Sequence, residues 1–197
     1  GEVETVAIDT ALEQTSEDRI TTKAAQNLAG VSRILIGFVF LWAFLDKNFG
    51  LGYATNSYSA WQFGTGEGSP VYGFLAFGTN PEGPFASVFQ DLASQDPNNW
   101  ANWGFMLALL GAGVFLCLGI VMRIAAIGAS VLLFLMYLAI APWQKFTVEG
   151  VEQTSNNPLI DDHIIYAVVL LFLMVAYAGR YLGLGRWWER TVPSWLQ

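Results

Sequence analysis

The side chains able to do chemistry in this chain are few, and they fall at the ends of apolar runs. His163 is the single histidine and stands beside Asp161 and Asp162. Asp46 and Lys47 close the first apolar run, with Trp42 one turn before them, and Trp143 and Lys145 follow the third. If the helices carrying these ends pack together, Asp46, Lys47, Trp42, Trp143, Lys145, Asp162 and His163 share one membrane level and ring one pocket. His163, Tyr166, Leu170, Met174 and Tyr177 recur at helical spacing, so Tyr166 joins that face and both tyrosines are expected to point inward. A quinone headgroup needs donors for its carbonyls, aromatic walls and a group that exchanges protons, and His, Asp, Lys and Trp are those types. On this reading His163, Asp46 and Asp162 are the catalytic candidates, and Trp42, Lys47, Trp143, Lys145 and Tyr166 bind the ligand. The plainer alternative stays open: Asp161 and Asp162 cap a helix, and the tryptophans are interfacial anchors.

Other chemistries fail on residue count. One histidine cannot ligate haem from both sides, and the single cysteine, Cys117, permits neither an internal disulfide nor an iron–sulfur cluster. Zinc on His163, Asp161 and Asp162 is a weak reading, because adjacent helical carboxylates diverge, so no metal is expected. No phosphate loop, nucleotide fingerprint or nucleophile elbow occurs. A net charge of −7 offers nothing to nucleic acid. Electron transfer therefore requires a partner that brings the redox centre.

The elements that position these residues belong to a membrane. Charged residues make up 13% of the chain and hydrophobic ones 54%. Residues 103–122 and 124–143 each run for 20 positions without Asp, Glu, Lys, Arg or His, close to the ~20 needed to cross the hydrocarbon core. With a first span over 24–45 and a last over 159–183, residues 23–190 are predicted to form an all-α, four-helix transmembrane bundle. Arg33, inside the first span, is expected to snorkel to the nearer interface. Small residues Gly104, Ala108 and Ala112 on the second span, and Ala125 and Ala129 on the third, predict close helix contacts.

The connection 49–102 is rich in Gly, Pro and aromatics. Pro84 followed by Phe85, Val88, Phe89 and Leu92 predicts a short amphipathic helix within it, and Val71–Phe77 is an apolar patch broken by glycine. Residues 1–22 form an acidic tail with no apolar stretch of the kind a secretory signal peptide carries, and 191–197 form a C-terminal tail. Arg19, Lys23, Arg33, Arg123, Arg180, Arg186 and Arg190 fall on one side of the predicted bundle, and only Lys47 and Lys145 on the other. That bias predicts both tails and the Arg123 turn in the cytoplasm, with the 49–102 connection and the 144–157 loop outside.

Three stretches carry a family resemblance: RILIGFVFLWAFLDKNFGLGY (Arg33–Tyr53), LGIVMRIAA (Leu118–Ala126), and NNPLIDDHIIYA running on to AGRYLGLGRWWER. They resemble the DoxX family of bacterial membrane proteins, which includes the large membrane subunit of thiosulfate:quinone oxidoreductase. The resemblance covers nearly all of residues 24–190. It implies a multi-pass protein of the bacterial plasma membrane, subunit of a quinone-linked oxidoreductase system acting on thiosulfate or a thiol, with a quinone as the possible ligand and a second subunit for the redox step. The alternative function is a non-catalytic accessory or assembly subunit of a larger membrane complex. A transporter is disfavoured, because the ionisable groups collect at the two faces rather than through the middle.

Overall fold

The computed structural model describes residues 19–144 and 157–196. Seven α-helices and no strands occur among them: α1 (Lys23–Phe49), α2 (Pro70–Phe77), α3 (Ala86–Leu92), α4 (Trp100–Leu118), α5 (Met122–Ile140), α6 (Asp162–Val175) and α7 (Gly185–Thr191). Most of the acidic tail, the greater part of the 144–157 loop and Lys145 lie outside the described residues.

Helices α1, α4 and α5, of 27, 19 and 19 residues, are long and apolar enough to cross a membrane. Their outward faces stay greasy: Leu35, Phe38, Leu107, Val131 and Phe134 are exposed. In water that much apolar surface would drive association, whereas lipid meets it at no cost. This is a membrane protein.

Helix α1 packs chiefly on α4, α4 on α5, and α5 on α6. Phe40, Met106, Leu116, Ala126, Leu133 and Leu170 are buried between them. The α1–α4 contact is close because both helices present glycine. A Cβ on Gly113 would lie 2.6 Å from the Leu41 amide nitrogen, and one on Gly37 would lie 2.8 Å from that of Cys117. This contact replaces the one expected from small-residue spacing. Of Gly104, Ala108 and Ala112 only Ala112 is buried, while Ala125 and Ala129 do face the core.

The last apolar helix also departs from expectation. It runs over Asp162–Val175 rather than 159–183, roughly 21 Å at the usual helical rise. Tyr177 then adopts a left-handed conformation (φ 54°), and a 3₁₀ turn follows at Ala178–Arg180. The broken turn frees carbonyls that need donors away from water, and Arg33 supplies them. Instead of snorkelling outward, Arg33 is fully buried (0% exposed). Its Nε donates to Ala178 O (3.2 Å), and one terminal nitrogen donates to Tyr181 O and Leu182 O (both 3.0 Å). The other donates to Leu116 O and to Cys117 O (2.9 Å) at the end of α4. The planar guanidinium thus ties α1, the negative end of α4 and the chain beyond α6 into one knot. Gly119, at φ 74°, lets the backbone pass beneath: a Cβ there would stand 3.0 Å from the Arg33 guanidinium carbon.

The 50–99 connection is pinned to the helices by two buried side chains. Asn102 accepts from Val71 N (2.9 Å) and donates to Ser69 Oγ (2.9 Å) and Asp96 O (3.0 Å). Trp61 donates from its indole to Pro97 O (2.8 Å), and its ring meets Trp103 edge-on at 4.7 Å. The Val71–Phe77 patch folds as α2, because Pro70 sits in its first turn and the Ser69 hydroxyl caps Tyr72 N.

Candidate functional site

Among the described residues, those expected to ring one pocket make their contacts in two groups. Asp46 belongs to the end of α1, where Gly50 (φ 64°) terminates the helix and turns the chain back. The carboxylate is buried (1% exposed) and accepts three backbone N–H groups, from Tyr53 (3.2 Å), Ala54 (2.9 Å) and Thr55 (2.9 Å). Trp42 meets the Tyr53 ring edge-on at 5.1 Å, and the Lys47 carbonyl accepts Trp61 N at 2.8 Å. Asp46 therefore organises the start of the connection. Substituting it with alanine is expected to strand three amides and lower stability by about 2–4 kcal/mol. Thermal denaturation in detergent checks this, and a melting temperature within error of the unsubstituted protein would refute it.

The second group lies where α5 ends and α6 begins. The Tyr137 hydroxyl donates to Leu159 O (2.8 Å), and the Tyr137 and Trp143 rings lie 5.5 Å apart. Asp161 is the N-cap of α6: one carboxylate oxygen accepts Ile164 N (3.2 Å) and the other sits 2.7 Å from His163 Nδ1. The capping alternative thus describes Asp161, and His163 is held by the cap. Asp162 is exposed in the first turn. Tyr166 is 36% exposed instead of facing inward, and Tyr177 leaves the helix, with the guanidinium groups of Arg180 and Arg19 over its ring at 4.5 and 5.7 Å. Among the described residues no hydrogen bond, ion pair or ring contact joins the Asp46 group to the His163 group, and none holds three metal-ligating side chains together.

A cleft that the sequence did not reveal lies beside the short helices. It encloses about 250 Å³ between α2, α3, α4 and α5, with Val71, Phe74, Phe89, Trp100, Gly104 and Met136 among its walls. The lining is apolar, with no titratable side chain. Ala139 also lines it, and the Ala139 carbonyl accepts the backbone N–H of Asn80 (2.9 Å). Asn80 is buried, and its Oδ1 accepts Glu82 N (3.0 Å), which fixes the amide orientation. Among the described residues its Nδ2 has no hydrogen-bond partner. A buried donor without an acceptor costs about 1–3 kcal/mol, but Asn80 is not among the residues that line the cleft. The cleft is suited to an apolar molecule. Only the apolar run at 71–77 and the helical spacing of Phe85, Phe89 and Leu92 hint at it in the sequence; its enclosure is tertiary.

Comparison with protein-family models, curated proteins and solved structures finds no match to this chain.

Proposed function

We propose that this chain is the membrane subunit of a quinone-linked oxidoreductase system. It offers the quinone a seat in the α2–α5 cleft and relies on a partner for the redox centre. The observation that supports this most is the apolar cleft among α2, α3, α4 and α5. The chain's own role is to bind: the apolar walls take the ring. The two electrons that convert a quinone to a quinol pass through the partner from the reduced sulfur compound, two molecules of which join through a new S–S bond as they are oxidised, and the two protons come from the thiols or from water. Thiosulfate or a thiol is the substrate class that the resemblance to the DoxX family implies.

Gly104 provides the test, because a Cβ there meets nothing within 4 Å, so leucine would project into the cleft without displacing the helices. Short-chain quinone should quench tryptophan fluorescence of the reconstituted protein saturably. Gly104→Leu is expected to weaken that binding roughly tenfold, about 1.4 kcal/mol. Equal binding by the substituted protein would remove the quinone from the cleft. The accessory-subunit reading has one observation in its favour: both Asp46 and His163 are engaged structurally. It becomes the better one if a Gly104→Leu complex assembles and turns over normally.

In the same reading α6, continued by the 3₁₀ turn, completes a four-helix bundle in a bacterial plasma membrane. The arginine-rich end faces the cytoplasm on the seven-to-two cation bias. A cysteine placed at Glu67 should react with an impermeant maleimide on intact cells, and one at Arg190 should not; the opposite labelling would invert the orientation.

A further inference from the structure

The geometry points to a second site, at the arginine-rich end, that takes the phosphate headgroup of an anionic membrane lipid. A cavity of about 380 Å³ opens there between the start of α5, the end of α6 and α7. Arg19 and Arg123 line it. Arg123 gives one N–H to Ser194 O (3.3 Å), and Arg19 lies 5.7 Å over the Tyr177 ring. Among the described residues neither is paired with a carboxylate. Glu189 also lines the cavity, but the Arg180 Nε holds both of its oxygens, at 3.0 and 2.9 Å. Its charge is therefore offset, and among the described residues no carboxylate compensates the two guanidinium charges.

A third source of positive potential points the same way. Helix α5 starts at Met122 without a capping side chain, and its first residues form part of the cavity wall. The free amides and positive dipole end of a long helix add to the guanidinium groups in favouring an anion. Phosphate oxygens suit arginine forks better than a single carboxylate would.

The opposite wall decides between a lipid and a soluble phosphate. Ile127 and Val175 line the cavity and are 49% and 60% exposed, on apolar helices whose outer faces meet lipid. The cavity thus runs from guanidinium groups to a greasy surface, the polarity of a headgroup with its acyl chain. Basic pockets between helices near a membrane face are sites for anionic headgroups. A small soluble anion would leave the apolar wall unused. The site is separate from the quinone cleft, sharing no lining residue with it.

Native mass spectrometry of the full chain in neutral detergent, titrated with phosphatidylglycerol or phosphatidylcholine of matched chains, tests this. Phosphatidylglycerol should be retained in preference. The double substitution Arg19→Gln with Arg123→Gln should weaken it roughly thirtyfold and leave phosphatidylcholine unchanged, while lysine at both positions should restore most of the preference. Ile127→Trp, which keeps both arginines, should lower phosphatidylglycerol affinity by crowding the chain wall. That substitution serves as the test if the double variant fails to fold. Unchanged phosphatidylglycerol binding in the double variant or in Ile127→Trp overturns the proposal. Displacement of the lipid by an equal concentration of inorganic phosphate overturns it too, in favour of a soluble phosphate.

Discussion

Replacing Arg33 with methionine is expected to prevent stable folding or to cost at least about 3–5 kcal/mol, the range for removing one partner from a buried charged network. Methionine fills much of the same volume, so the loss is electrostatic and not a cavity. Five carbonyls, on Leu116, Cys117, Ala178, Tyr181 and Leu182, lose their donor together. In a membrane no water replaces it. Lysine should recover only part of the stability. It keeps the charge, but its three donors radiate from one atom and cannot reach acceptors spread around a planar fork. Thermal melting in detergent measures both. A methionine variant as stable as the unsubstituted protein would mean that the knot is incidental.

The next largest effect is expected where α1 meets α4. Gly113→Leu puts a side chain where even a Cβ lies 2.6–2.8 Å from the backbone and Cβ of Leu41. Backbone cannot rotate away as a flexible side chain would, so the helices must separate, at a cost of about 3 kcal/mol or more. Ala108→Leu makes the comparison informative. Ala108 is exposed on the lipid side of α4, and its substitution should be near neutral. A drop in melting temperature for Ala108→Leu, with none for Gly113→Leu, would reverse the assignment of the buried face.

That comparison also marks where sequence reasoning stops. Gly104, Ala108 and Ala112 repeat at a four-residue spacing, and so do Gly113 and Cys117, so periodicity alone cannot choose between them. What decides is which face meets Gly37, a residue more than sixty positions away in the chain. The same limit governs the polar residues. Sequence showed that Asp46 and His163 end apolar runs, but a carboxylate at a helix end can serve a ligand or its own loop. The chain after Gly50 folds back and takes the Asp46 carboxylate for its own amides.

What the residues by themselves determined is the solvent and the coarse architecture. Charge-free runs at 103–122 and 124–143 can be satisfied only in lipid, and hydrogen bonding within each helix needs no partner to specify it. The helix ends were legible to within a few residues, except at α6. There, Val175–Leu184 reads as apolar and helical, yet the chain breaks at Tyr177. Local propensity carries no information about Arg33, which waits across the fold for the carbonyls that the break exposes. Sequence could mark Arg33 as costly in a membrane, and only tertiary structure could say what it is for. The cleft and the lipid cavity lie on the same side of that boundary, because each is a space between elements that no single stretch of the chain encloses.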